Sequence, residues 1–280
     1  MADTNTPSTL KREADGTIEL SITLPAALVN KTWEEVVEQM VKSATLPGFR
    51  QGKAPRKMVE EKLDKERIRE EVLKKVLPQA YIEAVKEHKI NPIINPKIHV
   101  EKLDEGKDWQ FSAITCEVPE VKLNNYKEEV KKVTAKSKIV IPGKEKPAPS
   151  LDEIIKIMID SVTVAVPSIL VEGEVERLLS QLLGEIKSLG LSLDQYLAST
   201  NRNVEQLREE YKKKAENDIK FEFALQKIAE EEKISVDPKE IDEALQKAKD
   251  ENERKQLEAN VYLLANILRQ QKTLDFLKNL

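Results

Sequence analysis

Residues 46–55 read Leu-Pro-Gly-Phe-Arg-Gln-Gly-Lys-Ala-Pro. This stretch cannot be helix, although the sequence on both sides of it is helix-like. Pro47 and Pro55 each forbid a helical interior and push the preceding residue toward extended geometry. Gly48 and Gly52 permit the left-handed backbone angles of tight turns. A stiff, turned tip is predicted. It carries one aromatic, Phe49, and the cations Arg50 and Lys53, with Arg56 and Lys57 just behind. A Phe on such a tip, with no apolar neighbour to fold over it, reads as an anchor for another molecule. The competing reading is that Phe49 tucks into the domain's own core and the cations are ordinary solvated charge.

The flanks define a first domain, residues 1–118. Ile18, Leu20, Ile22 and Leu24 alternate with Thr17, Glu19, Ser21 and Thr23, which is the period of a half-buried strand. Trp33, Val36, Val37, Met40, Val41 and Ala44 then fall on one face of a helix, with Glu34, Glu35, Glu38 and Lys42 opposite. After the loop, residues 56–63 are helix-like. A longer helix over 66–87 buries Ile68, Val72, Val76, Ala80 and Ala84, and Pro78 should kink or break it. Strands at 97–103 and 109–118, joined by Asp104-Glu105-Gly106-Lys107, predict a hairpin. Three strands and two or three helices make a small α+β domain.

Residues 119–150 change character, with four prolines, many lysines and little helical periodicity. They read as a linker, with residues 138–141 as a short strand or a clamp against the second domain. Residues 151–280 read as all helical. Val171, Val175, Leu178, Leu182 and Ile186 form one stripe after Pro167, and Gly190 caps that helix. Ser192 with Gln195 and Asn203 with Gln206 look like capping boxes. Asp237 and Pro238 open a further helix. The last helices are placed at about 253–270 and 273–279.

Composition narrows the function classes. Charged residues make up 34% and aromatics 4%, which favours long solvent-rich helices over a compact enzyme core. The net charge of −4 argues against wholesale nucleic-acid coating but leaves room for a local basic patch. One cysteine, Cys116, excludes an internal disulfide framework and suits a reducing cytoplasm. The first residues lack the basic and apolar regions of a signal peptide, and no stretch approaches the roughly 20 apolar residues of a membrane span. His88 and His99 have no Cys or carboxylate at ligand spacing, so no metal site is expected. Neither a phosphate loop nor a nucleophile elbow occurs, so no cofactor and no catalytic residue is expected.

The string Gly-Phe-Arg-x-Gly-Lys-x-Pro, between two amphipathic helices of the first domain, closely resembles the ribosome-docking loop of trigger factor, the bacterial ribosome-associated chaperone. Gly48, Phe49, Arg50, Gly52, Lys53 and Pro55 match the pattern, and Gln51 and Ala54 fill its variable places. The resemblance implies docking on the large ribosomal subunit, at an exit-site protein and rRNA. Arg56 and Lys57 extend the same basic surface.

Weaker strings, Val166-Pro167-Ser168-Ile169-Leu170 with Glu174 and Val236-Asp237-Pro238 with Ile241, resemble that family's helical C-terminal domain. This implies an open cradle for unfolded nascent polypeptides, with Val171, Val175, Leu178, Leu182 and Ile186 as client-contact residues. The alternative for each of them is packing against another helix. Family members can also form homodimers off the ribosome. The sequence departs from the family where a peptidyl-prolyl isomerase domain usually stands. That fold needs roughly ninety residues around an aromatic-lined pocket. Here only residues 119–150 are available, with Tyr126 the sole aromatic. The expectation is an ATP-independent chaperone that is not an enzyme. A stand-alone holdase without ribosome docking, and an isomerase, are the other two readings.

Overall fold

The computed structural model describes residues 6–45, 47, 49–52, 55–137, 150–247 and 250–280. The chain forms two compact units, Met1–Val118 and Pro119–Leu280. It has the expected α+β class, a small sheet-containing N-terminal part followed by a mostly helical remainder.

The first unit is built on a four-stranded antiparallel sheet in the order β1-β2-β4-β3. Its strands are β1 (Ser8–Arg12), β2 (Thr17–Leu24), β3 (Lys97–Lys102) and β4 (Trp109–Cys116). The register sets Leu20 opposite Ala113, Ile22 opposite Phe111 and Leu24 opposite Trp109. These side chains therefore share one face of the sheet. Helices α1 (Ala26–Ser43) and α3 (Lys65–Glu87) cover it. The alternating pattern of β2 and the α3 stripe Ile68, Val72, Val76, Ala80 and Ala84 are buried as the periodicity predicts. In β1, only half-buried Leu10 packs on the core, so that edge strand has no apolar alternation to reveal it.

Pro78 neither breaks nor ends α3, which runs through it. Pro78 and Lys74 are both exposed, so the Lys74 carbonyl left without a donor is open to water. The helix stops at a Schellman turn instead. Lys89 takes φ +51°, and the Ile90 N–H donates to the Val85 carbonyl at 3.1 Å.

The second unit corrects the linker reading. Residues 121–122 form β5 (Val121–Lys122), paired with β6 (Thr163–Val164), and 126–137 form α4 (Tyr126–Ser137). Leu123, Tyr126 and Val130 are buried in one cluster with Ile154 and Met158 of α5 (Leu151–Ser161), Leu225 and Ile228 of α8 (Val204–Glu231), and Leu277 of α11 (Val261–Asn279). The Tyr126 hydroxyl donates to Glu232 at 3.2 Å. These apolar positions recur at helical spacing but are diluted by lysines, which masks them in sequence. The strand expected at 138–141 lies outside the described residues.

Helix α6 (Ser168–Ser188) packs along α8 and against α7 (Leu193–Thr200). Gly190, at φ +72°, follows α6 as its cap. Capping boxes are present at Ser192/Gln195, Asn203/Gln206 and Asp237/Glu240, the last opening α9 (Pro238–Gln246). The C-terminal boundary differs from expectation. The break falls at Asn260, between α10 (Glu251–Ala259) and α11, and α11 continues through 271–272. Thr273 is fully buried, and its hydroxyl donates to the Arg269 carbonyl at 2.7 Å, within the helix.

Candidate functional site: the loop between the first two helices

The loop is fastened to the end of α1 by its own backbone. Ala44 leaves the helix in an extended conformation. Its carbonyl accepts the Gly52 N–H at 3.0 Å, and the Gln51 side-chain amide donates to the Ser43 carbonyl at 3.3 Å. Gly52 has φ +70°, and a Cβ there would lie 2.5 Å from the Lys42 carbonyl oxygen. Glycine is thus required twice, for the left-handed angle and for the close backbone approach. Pro55, extended at φ −56° and ψ 133°, then starts α2 (Arg56–Glu60), which buries Val59.

The side chains divide into two kinds. Phe49 is 39% exposed and is not among the residues packed on the first unit's core. Met58, on α2, is 45% exposed. Nothing in the sequence sets Met58 apart, because a lone Met in a helix-like run fits a core position as readily as an exposed one. Arg50 and Lys57 are exposed and have no ion-pair partner among the described residues. Arg56 does: its Nη2 lies 2.5 Å from Glu34 of α1, and its Nε donates to Glu60. Both carboxylates raise the guanidinium's pKa above its ordinary value, Glu60 most. Gly48 and Lys53 lie outside the described residues.

The second unit places the expected client residues differently. Val171, Val175 and Leu178 are buried in a cluster with Ala215 and Ile219 of α8. Leu182 and Ile186 are buried with Leu197 and Leu207. The α6 stripe is a helix–helix core, because a stripe this wide is covered by the apolar face of α8. Apolar surface is exposed elsewhere, on the first half of α11. Tyr262 is 82% and Leu263 59% exposed there. With Ile267, and with Leu225 and Ala229 of α8, they line a cavity of about 240 Å³. Nothing in their sequence context sets these residues apart, since only the packing of α11 decides which face stays uncovered.

Other chemistry is sparse. No group of three or more His, Cys, Asp or Glu among the described residues could hold a metal ion. His99 is exposed on β3, and His88 Nε2 lies 3.0 Å from the Ser8 hydroxyl. Cys116 is free and buried, and burial, with the charge of Asp15 adding to it, pushes its thiol up to about 11. Among the described residues, no helix is long and apolar enough to cross a membrane.

Comparison with known proteins places these features in a family. Residues 7–142 match the family model of the bacterial trigger factor protein, and residues 122–280 match that of the trigger factor C-terminus. A trigger factor of Staphylococcus epidermidis is 40% identical over 108 residues, covering 39% of this chain and 25% of that protein. One of Staphylococcus aureus is 39% identical over a stretch of the same length. The matched stretch thus spans a quarter of the length of these curated relatives. A solved structure described as "Promiscuous Substrate Recognition in Folding and Assembly Activities of the Trigger Factor Chaperone" aligns with a TM-score of 0.65 at 12% identity. That alignment covers 98% of this chain and 99% of the other, and at such low identity it is a likeness of fold. The C-terminal family model alone accounts for more than half of the 280 residues, and the chain belongs to the bacterial trigger factor family.

Proposed function

We propose that this chain is an ATP-independent cytoplasmic chaperone. It docks on the large ribosomal subunit through the loop between α1 and α2 and shields emerging polypeptides with the second unit. The observation that carries the docking half is a partly exposed Phe49, beside an exposed Arg50 with no ion-pair partner among the described residues, on a loop whose return leg is fixed by Gly52. Burying a Phe on a partner contributes about 1.5–3 kcal/mol. A few cations near rRNA phosphates add salt-sensitive attraction. Micromolar binding needs roughly −8 kcal/mol, which this loop and its flanks can supply without exceeding it. Weak, reversible docking suits a chaperone that must cycle on and off.

For the client half, the exposed surface of Tyr262, Leu263 and Ile267 on α11 replaces the buried α6 stripe as the contact for apolar segments. No isomerase activity is assigned. Residues 121–137 are committed to the second unit, and 138–149 are too few for a proline-binding fold.

The test is co-sedimentation with bacterial ribosomes at two salt concentrations, with wild type against Phe49→Ala/Arg50→Ala/Lys53→Ala. Wild type should pellet with ribosomes and the folded triple variant should stay in solution. In a parallel aggregation assay, Tyr262→Ser/Ile267→Ser should protect an unfolded client less well than wild type. If the triple variant pellets like wild type, docking by this loop is refuted. If wild type itself stays in solution yet protects clients, the chain is a stand-alone holdase.

A further inference from the structure

The cations around the loop do not stand in the same state. Arg50 and Lys57 are exposed and free of ion pairs among the described residues. Arg56 is held between two carboxylates on two different helices. Glu34 belongs to α1, which leads into the loop, and Glu60 to α2, which leads out of it. One guanidinium therefore joins the entry helix to the exit helix. The Gly52–Ala44 and Gln51–Ser43 hydrogen bonds close the same loop at its narrow end.

Two consequences follow from charge and shape. A guanidinium flanked by two carboxylates presents a local net charge of about −1, which repels phosphate rather than attracting it. Reaching two acceptors in different directions also uses the fork of arginine, which the single ammonium point of lysine does not reproduce.

We propose that Arg56 is a positioning residue for the docking loop, a cross-link between α1 and α2 that fixes how the Phe49 tip leaves the domain, and not a contact to ribosomal RNA. The proposal departs from the sequence expectation that Arg56 belongs to the basic contact surface, and it rests on the docking function proposed above.

The experiment uses the full chain with Arg56→Gln, Arg56→Lys and Glu34→Gln, titrated with bacterial ribosomes over a range of salt. Both substituted positions, Glu34 and Arg56, are exposed, so the fold should persist. Each variant should bind roughly threefold to fivefold more weakly, the scale of an exposed ion pair. The slope of log K against log salt should stay at the wild-type value. A direct phosphate contact makes the opposite forecasts. Glu34→Gln would then tighten binding by freeing Arg56. Arg56→Lys would bind like wild type. Arg56→Gln would reduce the salt slope by about 0.7–0.9. Any of these three results overturns the proposal.

A second readout needs no ribosome. Hydrogen exchange at the Gly52 amide should quicken in all three variants, and unchanged exchange also overturns the proposal. Phe49→Ala is the control for the underlying reading. If it binds ribosomes like wild type, the docking assignment falls, and the Gly52 exchange rates still decide whether Arg56 fixes the loop.

Discussion

Gly52 shows how a single backbone atom can set a loop. The left-handed conformation costs an L-residue about 1–2 kcal/mol. A methyl group at this position also meets the Lys42 carbonyl oxygen at 2.5 Å. Gly52→Ala should therefore destabilise the first unit by at least about 1–2 kcal/mol in urea unfolding, or else shift the loop and weaken ribosome binding at unchanged stability. Wild-type values in both assays would contradict the geometry.

Cys116 gives a residue-scale prediction in pH. Its folded-state pKa, near 11, is raised above the ordinary 9.0 by burial. Below pH 9 the thiol is protonated whether the chain is folded or unfolded. As pH rises from there, the unfolded chain ionises first, so the stability tied to the neutral thiol is progressively lost up to the folded value. The difference in unfolding free energy between wild type and Cys116→Ala should shrink from about pH 9 to about pH 11. A constant difference would place the thiol in a more solvated site than the structure does.

Among the elements, α3 tests how strongly local rules hold. A proline inside a helix costs about 3 kcal/mol relative to alanine. Part of that cost is relieved here because the ring faces water, as does the carbonyl it leaves unpaired. Pro78→Ala should raise stability by about 1–3 kcal/mol, measured by thermal or urea unfolding. A loss would mean that the helix depends on a bend at this point. Helix α11 makes the complementary point. Residues 271–272 read as a gap in sequence, yet the helix continues because Thr273 and Leu277 are buried on one side of it.

Across the whole molecule, the division falls at 118/119, and residues 119–137 belong to the second unit. A chain of residues 119–280 should unfold cooperatively. One that begins at 151 loses Leu123, Tyr126 and Val130 from the core and should lose that cooperativity, or its midpoint should drop sharply. Calorimetry of the two fragments checks this. Equal behaviour would return residues 119–137 to the status of a linker.

Legible without coordinates is whatever repeats or has no alternative. The period-two pattern of Ile18, Leu20, Ile22 and Leu24 located β2. The period of Ile68 to Ala84 located the inner face of α3, and the Ser/Gln and Asn/Gln pairs, with Asp237 before Pro238, located helix starts. Pro47, Gly52 and Pro55 excluded helix from the loop, because backbone geometry is a property of the residue itself. Tertiary structure decided whatever depends on a distant partner. It buried the α6 stripe, because α8 lies over it. It gave α4 a core to join despite its lysines, and it left Tyr262 and Leu263 uncovered. It also took Arg56 out of the free basic surface by setting Glu34, 22 residues away in sequence, within reach of the guanidinium. An apolar stripe or a cation looks the same in sequence whether its partner is the same chain or another molecule, and only the packed chain separates the two.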